Sequence, residues 1–432
     1  MFEEIKDVFE KMNKDKYVIG FDLNNRFAQL SYCRIDSNDP ETMSTVAGEE
    51  EFNIPAVILK KKTGGQWLIG KNAEDAFNEG EGYLISGLLK KSLKGDNVRM
   101  GSEEYKAEDL LLLFIKRAFA MLPLMTTPEK IASVVITVNK ADSDMVKILS
   151  KLPDLLKIGE EKVHFLSYEE SFFFYTLAQK TDLNNHQVLL CDSAEGYLNI
   201  YRLEKNTFVT PVIAGVDNYP YEDFRFGPDR ESAEEMDRRF LNIVTHLCEN
   251  RLFSAVYLIG SGFYDDWCED SLKFLCKNRR VFKGNNLFSK GAALAAKEYA
   301  APSGYEKQIR FFGKDRIQAN VGVMIKENDE TKELLFVRAG EHWYEVGKTK
   351  EFLLRETDTV PIYIEQISKR TRMGADLKLQ GLSVKSGRMT RISLTIKMKS
   401  EKTILFVAKD LGFGEIYPST GLEWTEELEL EQ

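Results

Sequence analysis

The order of apolar and polar positions divides this chain into a mixed helix–strand region and a later all-strand region. Apolar runs at 17–23 and 27–35 flank Asn24-Asn25. Asparagine tolerates positive φ better than other non-glycine residues, so the pair predicts a hairpin turn. A second hairpin is predicted from 54–60 and 66–70, closed by Thr63-Gly64-Gly65. Helices are expected at 71–78 and 105–122. The run 132–138 is continuous and β-branched, as a strand covered on both faces should be. A helix at 143–152, a short strand at 163–165 and a helix at 168–180 follow. The succession then repeats, with strands at 188–191, 197–203 and 207–213, a helix at 231–250, a strand at 255–259, and helices at 263–277 and 289–299.

Beyond Ala301-Pro302-Ser303-Gly304 the period changes to two. Strands are predicted at 317–325, 333–337, 360–365, 377–382, 391–398 and 403–408, the pattern of an independent β-sandwich. The expected division is therefore a first lobe at 1–182, a reduced second lobe at 183–301, a linker at 302–308 and a sandwich at 309–432. Phe2, Ile5, Val8, Phe9 and Met12 share one helical face, which suits either a surface-packed helix or a docking helix.

Composition narrows the function classes. At 432 residues the chain exceeds one core. The net charge of −9 disfavours nucleic acid as a partner. The five cysteines (Cys33, Cys191, Cys248, Cys268 and Cys276) show no Cys-x-x-Cys spacing, and the four histidines no metal-ligand spacing. The acidic start lacks a signal-peptide pattern, and Lys116 and Arg117 interrupt the most apolar helix. These features predict a cytoplasmic protein without a membrane span.

Three segments carry candidate chemistry: Val18-Ile-Gly-Phe-Asp-Leu-Asn24, Val188-Leu-Leu-Cys-Asp-Ser-Ala-Glu-Gly196 and Val256-Tyr-Leu-Ile-Gly-Ser-Gly262. The first two run a strand into an aspartate and a turn. The third runs a strand into Gly-Ser-Gly, where glycines serve either a nucleotide-facing turn or close helix–sheet packing. Their order resembles the phosphate-1, phosphate-2 and adenosine motifs of the actin, sugar-kinase and DnaK-type chaperone fold. Val134-Val-Ile-Thr-Val-Asn139 resembles a chaperone strand, and Ser289-Lys-Gly-Ala-Ala-Leu-Ala-Ala296 the small-residue helix after the adenosine motif. Leu377 to Leu382, Arg391 to Lys397 and Thr403 to Gly412 resemble the end of the chaperone β-sandwich.

This resemblance implies a duplicated ribonuclease H-like (actin-like) domain of two lobes around a cleft, followed by a β-sandwich without the helical lid. It also implies ATP or ADP with magnesium. Asp22 and Asp192 would hold the metal, and Glu169 would position the attacking water. Lys90 would be the catalytic lysine, although a run of lysines also marks a solvated helix face. Asn24, Asn25, Arg26, Ser193, Gly196, Gly260, Ser261 and Gly262 would contact the nucleotide, and the sandwich would bind a protein or peptide partner.

The phosphate loops depart from the family. Asn24 stands where glycine is preferred and Arg26 where Thr or Ser is usual; Ala194 and Glu195 replace glycines in the second loop. A unit charge about 4 Å from a phosphate repels it by about 4 kcal/mol at an effective dielectric near 20. The reading is therefore a chaperone-like protein with a degenerate or weak ATPase, with Arg26 and Glu195 paired across the site. The alternatives are a competent ATPase and a nucleotide-dependent scaffold or filament protein.

Overall fold

The computed structural model describes residues 16–46, 48–227, 231–313, 315–327, 330–367, 371–383 and 389–430. The proposed helix at 2–12 lies outside them. The chain divides into one unit ending at Phe311 and a second beginning at Phe312.

In the first unit β1 (Tyr17–Leu23), β2 (Phe27–Arg34), β3 (Glu41–Thr42) and β4 (Ile54–Pro55) precede a small sheet and a hairpin. The small sheet comprises β5 (Ile58–Lys61), β6 (Trp67–Ile69) and β7 (Gly82–Ile85); the hairpin pairs β8 (Asn97–Met100) with β9 (Glu103–Lys106). Then come β10 (Ile131–Val138) and β11 (Val163–Ser167). The main sheet is ordered β11-β10-β1-β2-β3, with β4 also on β2. Its β11, β10 and β1 run parallel, and β2 antiparallel to β1.

A second sheet repeats this pattern. It is built from β12 (Gln187–Asp192), β13 (Tyr197–Asn206), β14 (Val212–Arg225), β15 (Phe253–Ile259), β16 (Arg280–Gly284) and β17 (Ile309–Phe311), ordered β16-β15-β12-β13-β14-β17. Again the strand central to the order is parallel to the later strand and antiparallel to its hairpin partner.

Alternating residues give each sheet two buried faces. On β1, Phe21 meets Phe119 of the helix Ala107–Ala120 at 4.9 Å. The opposite face presents Gly20, where a methyl group would overlap the Ser289 carbonyl oxygen and the Ala293 amide. The helix Leu287–Ala300 can lie against β1 only because no Cβ is there. Gly291 of the same helix meets the Ser171 carbonyl of the helix Tyr168–Leu177 in the same way. One continuous core joins Val18 and Val135 of the first sheet, Phe172 and Ala292 of these helices, and Leu190 and Tyr201 of the second sheet. The far face of the second sheet packs Leu198 and Leu258 on Phe240 and Trp267.

Several elements differ from the sequence expectation. The third strand of the second lobe begins at Val212, not 207, and runs to Arg225. Residues 263–277 are not one helix. A single 3-10 turn, Ser261–Phe263, is followed by a short helix, Glu269–Leu275. The supposed linker at 302–308 contains a 3-10 turn whose Tyr305 packs on Phe173 and Phe174. Residues 309–311 form β17 on β14, so the sandwich cannot begin at 309.

The second unit contains two four-stranded antiparallel sheets. Its strands are β18 (Ala319–Glu327), β19 (Glu330–Val337), β20 (Gly347–Arg355), β21 (Thr359–Gln366), β22 (Thr371–Lys378), β23 (Met389–Met398), β24 (Thr403–Gly412) and β25 (Glu423–Glu429). The orders are β19-β18-β21-β22 and β20-β23-β24-β25. Burial alternates along β23 and β24, with Ile392, Leu394, Ile396, Ile404, Phe406 and Ala408 turned inward. The fold class is thus mixed α/β followed by an all-β unit. Among the described residues, no helix is long and apolar enough to cross a membrane.

Candidate functional site

The three sequence segments converge at the carboxyl ends of β1, β12 and β15. After β1, Asn24 is buried and its side-chain oxygen accepts the N–H groups of Arg26 and Phe27, each at 2.8 Å. In this Asx turn the side chain itself holds the loop closed. Asn25 accepts the backbone N–H of Lys90 at 3.2 Å. Lys90 thus reaches the site through its backbone, while its side chain is exposed. That placement favours the solvated-face reading of the lysine run.

After β12, Asp192 accepts the Ala194 N–H at 2.8 Å and Gly196 closes the turn onto the Ser193 carbonyl. Ser193 ties this loop to the third segment: its hydroxyl donates to the Ile259 carbonyl and accepts the Gly262 N–H. Gly260 has φ +89°, and a side chain there would collide with the Ser193 hydroxyl. Gly260 and Gly262 therefore let two loops of the protein approach each other. Because only a 3-10 turn follows Ser261, no helix N-terminus faces the cleft at this point.

Arg26 and Glu195 face one another, but not as a direct ion pair. The guanidinium donates to the Ala194 carbonyl at 3.3 Å. The Glu195 carboxylate lies beside the backbone N–H of Asn25. Burial pushes its pKa up, while this N–H and the nearby Arg26 charge lower it. The two loops thus meet from both sides.

Beneath them, Asp22 accepts the Tyr168 hydroxyl at 2.6 Å. Burial raises Asp22 from 3.8 to about 8; the Tyr168 bond opposes this, and the charges of Asp192 and Glu195 add to it. Burial likewise carries Asp192 to about 7 against the Ala194 N–H. Tyr168 stacks on Phe288 at 4.1 Å, and Tyr201 meets Phe288 edge-on. Glu169 lies beside Asn218, whose Nδ2 is 3.5 Å from its Oε1, and acts electrostatically on Tyr201 together with Asp22 and Asp192. Glu169 therefore lies within electrostatic reach of this carboxylate group.

Sequence reasoning missed Tyr168, although it starts the helix that carries Glu169. It also missed Gly20, whose signal was a glycine inside an otherwise apolar strand.

Beside the loops lies an open cavity of ≈ 490 Å³ lined by Asn25, Arg26, Ala194, Gly260 and Ser261, with Asn285 and Glu74. Among the described residues, no three His, Cys, Asp or Glu side chains form a metal-binding group. Asp22 and Asp192, both buried beneath the loops, are the two carboxylates that the resemblance would place on magnesium.

The chain thus combines a mixed α/β unit built on two six-stranded sheets with an all-β unit. The chain belongs to a family of unknown function, DUF5716, whose C-terminal region matches residues 39–314. A domain of unknown function, DUF8552, matches residues 316–430. No curated protein matches the chain.

Proposed function

We propose that this chain is a divergent actin-like, DnaK-type protein whose nucleotide clamp is latched shut without phosphate, and that it works as a cytoplasmic protein-interaction module. The repeated strand order, with the same parallel and antiparallel pattern in both sheets, supports descent from a duplicated ribonuclease H-like clamp. The observation that carries the latched reading is the Glu195 carboxylate beside the Asn25 N–H. A fixed carboxylate supplies the negative charge and acceptor oxygens that a phosphate would bring to that amide. The Arg26 bond to Ala194 closes the same gap from the other side.

The all-β unit supplies the interaction surface in this reading. Phe413, Ile416 and Leu422, 41%, 81% and 37% exposed, project from the connection between β24 and β25. Exposed apolar groups gathered in one loop mark protein contact sites more often than isolated ones do.

Calorimetry with Mg-ATP tests the latch. The wild type is expected to give no binding, and the double variant Arg26→Thr/Glu195→Gly to gain it. Micromolar binding by the wild type that Glu195→Gly weakens would refute the latch. One observation favours the competent-ATPase alternative, the cavity that residues of all three motifs share. Wild-type ATP turnover lost on Asp192→Asn would establish that reading instead.

A further inference from the structure

A second cavity, of ≈ 280 Å³, lies in the first unit away from the loops. Three aromatic side chains line it, and each comes from a different element. Phe174 belongs to the helix Tyr168–Leu177, Tyr299 to the last turn of the helix Leu287–Ala300, and Tyr305 to the turn Tyr305–Lys307. Phe174 and Tyr305 stand nearly perpendicular, at 79° and 5.7 Å between centroids; Phe174 and Tyr299 are tilted by 52° at 6.5 Å. The His164 ring backs Tyr299 at 4.1 Å and 17°. The walls are therefore held by packing and not free to collapse.

Two carboxylate residues, Glu298 and Glu306, line the same cavity, and Lys307 is its single cationic residue. Glu298 is fixed by accepting the Ser303 N–H at 2.9 Å. Electron-rich ring faces beside carboxylates attract a cation, and a weakly hydrated cation loses least on entering an apolar cavity. A neutral apolar ligand would gain nothing from the carboxylates, and an anion would be repelled.

We propose that this cavity binds a trimethylammonium group, carried either by a small free solute or by a methylated lysine side chain. The site is independent of the latched clamp.

The test is titration of the full chain with choline, followed by calorimetry and tyrosine fluorescence. The neutral isostere 3,3-dimethylbutan-1-ol serves as control. Saturable choline binding at least tenfold tighter than the isostere is expected. Tyr305→Ala should abolish it and Tyr305→Phe retain it. Glu306→Gln should weaken it several-fold, and Lys307→Gln should strengthen it; both are surface changes that leave the fold intact. A peptide bearing trimethyl-lysine that binds tenfold tighter than choline would assign the group to a protein tail, and equal or weaker binding to a free solute. Equal affinity for choline and the isostere would overturn the proposal. So would no choline binding at 10 mM-scale concentrations (about four orders weaker than a micromolar site), or affinity unchanged by Glu306→Gln and Tyr305→Ala.

Discussion

Replacing Asp22 with Asn should stabilise the first unit at alkaline pH and remove part of its pH dependence. Asp22 is buried, bonded to the Tyr168 hydroxyl and close to the charges of Asp192 and Glu195. Its folded pKa of about 8 lies far above the 3.8 of an open chain. The folded state therefore keeps a proton that the unfolded chain releases. Stability from this group is greatest below about pH 4, falls as pH rises towards 8, and levels off above. At ~1.4 kcal/mol per tenfold change in proton affinity, the cost above pH 8 has an upper limit of about 6 kcal/mol. Relaxation and water entry lower such penalties, so a difference of about 2 kcal/mol is expected. Asparagine keeps an oxygen for Tyr168 and carries no charge. Because the carboxyls titrate together, the variant also eases ionisation of Asp192. Urea unfolding of both proteins at intervals from pH 5 to 9 gives the difference directly. It should rise with pH in favour of the variant. A difference that stays flat, or favours the wild type at pH 9, would refute the electrostatic account.

Asp410 should behave in the opposite sense. Its burial raises the pKa, but bonds from Thr390, Thr420 and the Gly412 N–H more than offset this and hold it at about 2. Its stabilising effect, about 1 kcal/mol after solvent screening, is complete above about pH 5 and lost as pH falls towards 2; Asp410→Asn should erase it in low-pH melting curves. Gly20→Ala should destabilise by about 3 kcal/mol or prevent folding, because backbone atoms of the helix Leu287–Ala300 occupy the space. Gly284→Ala, with open space around it, should leave the melting temperature nearly unchanged, and equal effects at both positions would contradict the packing argument.

Among the strands that hydrophobic patterning located are the central ones, β1, β10, β12 and β15, each with neighbours on both sides. Residues 17–23, 132–138 and 255–259 were legible because apolar residues dominate them, with only Asp22, Ser133 and Thr137 as buried polar exceptions. Several of the strands it missed or displaced lie at edges. β16, β20, β22 and β25 each pair with one neighbour only. An edge strand can carry charge on its open side, as Arg280-Val-Phe-Lys-Gly284 and Glu423-Trp-Thr-Glu-Glu-Leu-Glu429 do. The extension of β14 to Arg225 has the same cause. β17 covers only its first three residues, 212–214, so Pro220 and the acidic residues around it cost no ladder partner on the open side.

The candidate site was legible in its members and not in its connections. Asp22, Asn24, Arg26, Asp192, Ser193, Gly260 and Gly262 do come together, since strand order alone brings three strand ends to one place. What each residue bonds to there depends on distances across the two lobes that sequence spacing does not encode. Glu195 shows the consequence. Read along the chain, it is a charge that repels an expected phosphate. Across the cleft, the same carboxylate lies beside the Asn25 amide, and in the latch proposal its electrostatic role is reversed. An acidic residue in a phosphate loop is therefore ambiguous until the opposing amide is located. Removing its charge while keeping its shape, by Glu195→Gln, separates the two roles. If Glu195 latches the loops, the neutral variant should lose stability, because a charge-assisted bond becomes a neutral one, roughly half as strong. If it only repels anions, stability should be unchanged and phosphate affinity should rise.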